Sequence, residues 1–200
     1  MVLCRSRKLF GTLLAISGIL LSSGCFYSDA PLLTQSEYVR PIRAGLWENL
    51  VPVPDREWAA MTSRERSGKH CRAISARRYC GQRVRISTSP DGSYRLTWDG
   101  EKAVDRVVMA ALAVDKFIVA QDSGNGSAEY ALATQSSPAS FTIRMPDCDR
   151  DGYLRAYALP AEDASSKCRI VDRRRLLELF AEYMTKSSPA DAKVFRRIGD

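Results

Sequence analysis

The chain has 200 residues, with 30 Lys and Arg against 23 Asp and Glu, which gives a formal net charge of +7. This length suits one domain built around a single hydrophobic core. The sequence contains no nucleophile elbow, Walker loop, dinucleotide-binding fingerprint or zinc-protease motif, which disfavours an enzyme. We therefore predict a single non-enzymatic domain without a cofactor.

The first 24 residues have the layout of a secretory signal peptide. Arg5, Arg7 and Lys8 precede an uncharged apolar run at residues 9–21. The run is shorter than the about 20 residues that a helix needs to cross the hydrocarbon core, so we predict a cleaved signal. Its removal takes three positive charges and no acid, so the formal net charge falls from +7 to +4.

The apolar run ends in the segment Leu21-Ser22-Ser23-Gly24-Cys25. This segment resembles the lipobox of bacterial lipoproteins, in which small residues precede the cysteine that becomes the lipidated N-terminus. The resemblance implies cleavage after Gly24, acyl chains on Cys25 and stable attachment to a bilayer. Because Phe26 rather than an acidic residue follows, it also implies the outer membrane, with the domain facing the periplasm. The alternative is an ordinary signal peptide and a free periplasmic protein.

Four further cysteines lie in the mature chain, in a compartment that oxidises thiols. They are Cys71, Cys80, Cys148 and Cys168. Four cysteines allow three connectivities; we favour local pairing, the first with the second and the third with the fourth. Each disulfide would stabilise the fold by about 3 kcal/mol in the loop-entropy model. A metal site is disfavoured, because the spacings do not match zinc knuckles and His70 is the only histidine.

We divide the mature chain into a tether and one disulfide-stabilised domain. Residues 25–43 contain two prolines, several polar residues and no clear period, which is typical of a flexible tether. Residues 44–200 form the predicted domain. Residues 45–50 predict a first strand, which the prolines at residues 51–54 end because proline cannot donate to a ladder. Residues 55–61 predict a short helix.

The middle of the chain predicts an antiparallel meander, because short runs of β-branched and aromatic residues recur between turn signals. Residues 83–87 and 93–98 alternate polar and apolar around Pro90-Asp91-Gly92, a hairpin turn in which glycine supplies a positive φ. Further strands are predicted at residues 107–113, 116–121, 129–134, 140–145 and 153–159. This spacing indicates a β-sandwich or a barrel, and the sequence leaves both open.

In the C-terminal part of the domain, the spacing of apolar residues changes from that of strands to that of a helix. Residues 173–186 place their apolar side chains on one face of a helix, with Asp172 as the expected N-cap. We expect this helix to pack on the sheet rather than to bind a partner. Residues 194–198 predict a last edge strand. The predicted fold class is therefore mainly β, an antiparallel meander with one amphipathic C-terminal helix packed on it.

The segment Asp147-Cys148-Asp149-Arg150-Asp151-Gly152 resembles the start of an EF-hand calcium loop. Acids occupy its first, third and fifth places, and glycine the sixth. The twelfth place, where such a loop normally has a bidentate glutamate, is Ala158, and no helix pattern precedes the segment. We therefore interpret the segment as a polar turn, with its three aspartates as a weak calcium candidate only.

A basic stretch in the first half of the domain is opposed by Glu65 alone. Its anion-binding candidates are Arg64, Arg66, Lys69, Arg72, Arg77 and Arg78, and Arg83 and Arg85 follow on the same stretch. Outside the cytoplasm the available polyanions are lipopolysaccharide phosphates, anionic lipid headgroups and acidic glycans, and arginine matches phosphate oxygens well. Nucleic acid is not expected there. The competing interpretation is a solvated surface without a ligand.

Together these features predict a membrane-anchored, non-enzymatic binding or accessory module of the bacterial envelope. The mature domain, with its Gly-Leu-Trp entry and later cysteines, is similar in general character to proteobacterial envelope lipoproteins. Besides the bilayer, the predicted partner is an envelope protein or an anionic envelope component. One alternative is a lipid or hydrophobe carrier, which needs a barrel cavity lined by small apolar residues. Another is a periplasmic hydrolase, which needs paired buried carboxylates in a cleft.

Overall fold

The structure is a computed structural model that describes residues 26–74, 77–123, 125–160, 168–188 and 192–200. The predicted signal peptide and the predicted lipidation site, Cys25, lie outside these residues. Within the described ranges, no helix combines the length and the apolar character needed to cross a bilayer.

The described residues form short strands and three α-helices. The strands are β1 (Phe26–Ser28), β2 (Gly45–Pro52), β3 (Arg72–Ile74), β4 (Arg77–Thr88), β5 (Tyr94–Trp98), β6 (Val104–Ala113), β7 (Lys116–Asp122), β8 (Ala128–Ser137), β9 (Ser140–Arg144), β10 (Leu159–Pro160), β11 (Cys168–Arg169) and β12 (Lys193–Gly199). The α-helices are α1 (Asp55–Ala60), α2 (Ser63–Gly68) and α3 (Arg173–Lys186), and 3-10 helices span Gln35–Glu37 and Gly152–Tyr157.

Eight antiparallel strands close into a barrel, in the order β8, β7, β6, β5, β4, β2, β12, β9 and back to β8. The consecutive hairpins from β4 to β9 confirm the predicted meander. Since β9 pairs with both β8 and β12, the structure is a barrel and not a sandwich. The last strand, predicted at an edge, lies between β2 and β9 instead, because closure of a barrel leaves its strands no free edge.

The barrel interior is filled by side chains. Successive residues alternate between the interior and the outer face, so Val107 and Met109 belong to the inner core while Val108 belongs to the outer one. In the inner core the Phe141 ring stacks on Phe195, with centroids 4.7 Å apart. A cavity of about 20 Å³ remains, which is room for about one water molecule.

A second core lies outside the barrel, where α3 covers the outer face of β6, β7 and β8. The helix begins at Asp172, whose carboxylate accepts a hydrogen bond from the Arg175 amide at 2.9 Å, as expected of an N-cap. Its buried residues are Leu176, Leu179, Phe180 and Tyr183. The C-terminal helix and its packing on the sheet are therefore confirmed.

The segment predicted as a flexible tether, residues 25–43, contacts the barrel at several points within its described residues, 26–43, although other residues of the segment are exposed. Phe26 is fully buried, and β1 pairs with β8 on one side and with β11 on the other. Further on, the Val39 amide donates to the Met109 carbonyl at 2.8 Å. The sequence did not predict this packing. An extended segment with one 3-10 turn buries isolated side chains and therefore shows no regular apolar period.

The end of the same segment enters the barrel mouth. Ile42 belongs to the inner core, and its amide donates to the Tyr94 hydroxyl at 3.0 Å. The same hydroxyl donates to the Ile42 carbonyl at 2.9 Å. Burial raises the pKa of Tyr94 to about 12, so the hydroxyl keeps its proton and this double contact holds across the physiological pH range.

The strand predicted at residues 153–159 is the second correction. The chain there forms the 3-10 helix Gly152–Tyr157, and only Leu159–Pro160 reaches a strand. The turn places Leu154 in the outer core, where it is fully buried, while residues on either side of it remain more exposed. A run of turns that contains one buried apolar residue has a sequence similar to that of a short strand.

Both disulfides join cysteines that are close in the sequence. Cys71, directly before β3, pairs with Cys80 in β4, and Cys148 pairs with Cys168 in β11. These are the local pairs that the sequence favoured. The second bond ties β11, and through it β1, to the outer core.

Candidate functional site: a basic flap and the cleft beneath it

Between β2 and β4 the chain leaves one end of the barrel and forms an exposed flap, which we define as residues 53–74. It contains α1, α2 and β3, and neither helix has a buried residue. β3 returns beside β4 with Arg72 opposite Tyr79, and the disulfide Cys71–Cys80 fixes this junction. The flap is therefore held by local bonds and not by a core of its own.

Two local devices give the flap a defined shape. Thr62 caps α2 with a capping box, since its hydroxyl accepts from the Glu65 amide at 3.2 Å and the Glu65 carboxylate accepts from the Thr62 amide at 2.7 Å. These bonds from Thr62 lower the pKa of Glu65. Trp58 lies between two arginines, with Arg66 at 5.2 Å and Arg78 at 5.5 Å from its ring centroid. Such cation–π contacts link α1, α2 and β4.

Two of the predicted anion-binding residues have structural partners. Arg72 donates to both carboxylate oxygens of Glu48, at 3.3 and 2.5 Å. Glu48 is buried on the barrel wall, where leaving it without a cation would be costly. Arg78 pairs with Asp55 at 3.0 Å. Both arginines therefore fasten the flap and offer little charge to a ligand.

The remaining candidates differ in their availability. Arg64 and Lys69 are exposed and take part in no salt bridge within the described part of the chain. Arg66 is partly covered by its contact with Trp58. Arg77 lies in β4, and its side chain is outside the described parts of the structure. The structure thus brings the candidates to one end of the barrel but leaves only some of their charges open.

A cleft of about 330 Å³ lies between the flap and the barrel. Its floor is the part of β4 at residues 80–83, which has no strand on this side. The floor stays open because β3 pairs only with residues 77–79 of β4 and β5 pairs only from Val84 onwards. A break in the strand pairing therefore creates the cleft.

The cleft walls carry polar and charged side chains. Lys69 and His70, at the end of α2, form one wall, and Asp99, directly after β5, lies on the other. Each wall is tied to the floor: the Lys69 carbonyl accepts from the Gly81 amide at 3.1 Å, and the Asp99 amide donates to the Arg83 carbonyl at 3.0 Å.

Arg83 is the functional candidate that sequence reasoning did not single out. It lines the cleft, and its Nε is buried without a hydrogen-bond partner among the described residues. Its place in the basic stretch was visible in the sequence, but nothing there distinguished it from Arg85. The distinction depends on where β5 stops pairing with β4.

In the segment considered as a weak calcium candidate, the aspartate carboxylates already have partners within their own turn. The Asp147 carboxylate accepts from the amides of Asp149 and Arg150, both at 2.9 Å. Asp149 pairs with Arg155 at 2.7 Å, and the Asp151 carboxylate accepts from the Asp147 amide at 2.8 Å. Across the residues that the structure describes, no group of three or more acidic, histidine or cysteine side chains is arranged to hold a metal ion.

No protein-family model, curated protein or solved structure matches this chain. Function is therefore inferred from the barrel, the flap and the cleft.

Proposed function

We propose that the protein is a lipid-anchored, non-enzymatic binding module of the bacterial envelope. In this proposal acyl chains on Cys25 hold it to the membrane, and the flap binds an anionic envelope component. The observation that carries the proposal is the flap itself, an exposed and cation-rich excursion with no buried residue in either helix. A segment that contributes little to the core but is held in shape by a disulfide and a capping box is suited to binding.

The packed interior supports a ligand site on the outside of the barrel. A carrier encloses its cargo in a pocket, typically of about 300–1,000 Å³. The interior here is closed by large side chains, including Trp47, Phe141 and Phe195, and its cavity measures about 20 Å³. The carrier alternative is therefore disfavoured by volume alone.

The hydrolase alternative lacks support for a different reason. A pair of carboxylates that exchange a proton must lie close together in a partly desolvated site. Among the described residues Glu48 is the buried acid, and Arg72 holds both of its oxygens. Because the Arg72 guanidinium balances the charge of Glu48, this carboxylate supports a structural role.

The flap surface is tested by vesicle binding. The Cys25→Ser protein, which cannot be acylated at this position, would be titrated with phosphatidylglycerol vesicles and with phosphatidylcholine vesicles at low salt. Arg56 and Arg64 are exposed on α1 and α2 and lie outside the cleft lining. Each cation near an anionic surface contributes about fivefold in affinity, so the Arg56→Gln/Arg64→Gln double variant should bind phosphatidylglycerol about 30-fold more weakly.

The matched control removes two charges elsewhere. Arg95 on β5 and Arg174 on α3 are exposed and lie away from the flap, and their double change to Gln alters the net charge equally. The control should bind like the parent protein. Equal weakening by both double variants, or equal binding to both kinds of vesicle, would rule out the flap as the binding surface.

The lipid anchor is tested separately by intact mass spectrometry. Protein purified from membranes of a lipoprotein-processing host should have the mass of residues 25–200 plus acyl chains. It should gain four hydrogens on reduction of its two disulfides. A mass without lipid, or cleavage at another bond, would refute the anchor and leave a free secreted protein.

A further inference from the structure

We propose that the cleft beneath the flap binds a phosphate group, with Arg83 and Lys69 as the cations that hold it. This site goes beyond the membrane-binding role of the flap. It requires neither a lipid anchor nor the outward-facing arginines, and a soluble phosphate ester or a lipid headgroup could each supply the group.

The first argument is the donor that the fold leaves without an acceptor. The Nε of Arg83 is buried and has no hydrogen-bond partner among the described residues. Its cross-strand neighbour is Glu48, but that carboxylate turns to Arg72 instead. A buried donor without an acceptor is unfavourable. A small rotation of the Arg83 side chain that brings Nε to a phosphate oxygen in the cleft would remove that cost. Arginine presents its donors in a planar fork that fits phosphate oxygens.

The second argument is the charge balance of the cleft. Among the described residues that line the cleft, Lys69 and Arg83 are cationic and Asp99 is the one acid. The other nearby acid, Glu48, packs against Gly81 and is neutralised by Arg72. The cleft therefore attracts anions.

Backbone acceptors do not reverse this balance. The C-terminal end of a helix exposes carbonyl oxygens that favour cations, and α2 ends at the cleft. Here the carbonyls of Glu65, Arg66 and Ser67 accept from the amides that follow the helix, at 3.0, 2.7 and 3.1 Å respectively. The Lys69 carbonyl accepts from Gly81. The helix end is thus closed by its own chain and offers a cation little.

The third argument is that the cleft is held open. The Cys71–Cys80 disulfide joins the wall to the floor one residue beyond His70. His70 itself has a φ of 49°, a left-handed conformation that few residues other than glycine adopt without a constraint. With about 330 Å³, the cleft has space for a phosphate group and a small substituent. A site formed in advance loses little entropy when it binds.

The probe for this site is inorganic phosphate, measured by calorimetry and by the shift in melting temperature on the purified full-length processed protein. We expect saturable binding with one site. Arg83→Gln should weaken it at least about tenfold, as loss of a charge-assisted hydrogen bond does. Arg83→Lys should recover part of the loss, because it restores the charge but not the fork.

The control lies on the same strand. Arg85 is two residues further along β4 and points to the same face, outside the cleft lining, so Arg85→Gln should bind phosphate like the parent. If Arg83→Gln fails to fold, Lys69→Gln replaces it, since Lys69 is exposed and its side chain can change without disturbing a core. That variant should also weaken binding.

The source of the phosphate is read from competition. Phosphatidylglycerol vesicles that displace inorganic phosphate from the protein identify a headgroup ligand, and vesicles that do not displace it identify a soluble ester. No phosphate binding at millimolar concentration, or equal binding by the parent and Arg83→Gln, overturns the proposal. The Arg56→Gln/Arg64→Gln variant should still bind phosphate, so failure of the flap proposal and failure of this one are distinguishable.

Discussion

Replacement of Phe26 by Ala tests whether the residues next to Cys25 belong to the folded domain. Phe26 is fully buried in the outer core, and β1 is hydrogen-bonded on both sides. Removing a fully buried phenylalanine ring typically costs about 3–5 kcal/mol, from lost transfer free energy and from the cavity that remains. For a domain with a total stability of about 5–15 kcal/mol, this is a large fraction.

The assay is equilibrium unfolding in urea, followed by tryptophan fluorescence, with the free energy of unfolding extrapolated to water. The control is Tyr27→Ala on the same strand, where the side chain is only half-buried. It should cost less, about 1 kcal/mol, as is usual for a partly exposed site. If Phe26→Ala also costs under about 1 kcal/mol, the strand is not docked and the flexible tether expected from composition is correct.

Three further predictions address the ion pair, the flap junction and the interior. The bond from Arg173 lowers the pKa of Glu37 to about 2, so this pair stabilises the fold above the ordinary glutamate pKa, and its contribution falls as the pH drops towards 2. Glu37→Gln should flatten this part of the curve of urea midpoint against pH; an unchanged acid slope would show that the pair contributes nothing. Gly81→Ala places a Cβ 2.4 Å from Glu48 Oε1 and should destabilise by about 1–3 kcal/mol, whereas Gly68→Ala meets nothing within 4 Å; equal melting temperatures of the two variants would contradict this packing. A naphthalene-type fluorescent probe should show no saturable binding to the folded protein, because the interior cavity measures only about 20 Å³; saturable binding displaced by a fatty acid would revive the carrier hypothesis.

The local pairing of strands could be predicted from the sequence. The turn at Pro90-Asp91-Gly92 joins β4 and β5, and Gly92 has the expected positive φ of 94°. The bounds of α3 agree with its predicted residues, 173–186. These features depend on turn chemistry and apolar period, which act over a few residues. The contacts that close the barrel could not be predicted from such local signals. The pairs β2–β12 and β12–β9 join segments that are far apart in the chain.

The candidate site was predictable only in part. The basic stretch identified the right region, but the side chains divide by their partners: Arg72 is held by Glu48, Arg78 by Asp55, while Arg83 faces a cleft. Those partners lie 24 and 23 positions away for the first two residues, a distance over which no local pattern in one sequence specifies contact. The helix α2 was missed because its six residues contain no buried position and therefore no apolar period.

If Cys25 is acylated as proposed, the burial of Phe26 constrains the order in which the chain is processed and folds. With lipid on Cys25, the acylated residue and the first buried side chain are adjacent, and one residue of extended chain spans at most about 3.6 Å. An enzyme that cleaves before Cys25 or acylates it would act next to a strand that is hydrogen-bonded to β8 and β11 and next to a ring that is buried in the outer core. Docking of β1 would then follow processing and complete the outer layer of the fold. The finished barrel would have almost no slack between itself and the bilayer, so its height above the headgroups would be set by the protein surface around β1 rather than by a linker.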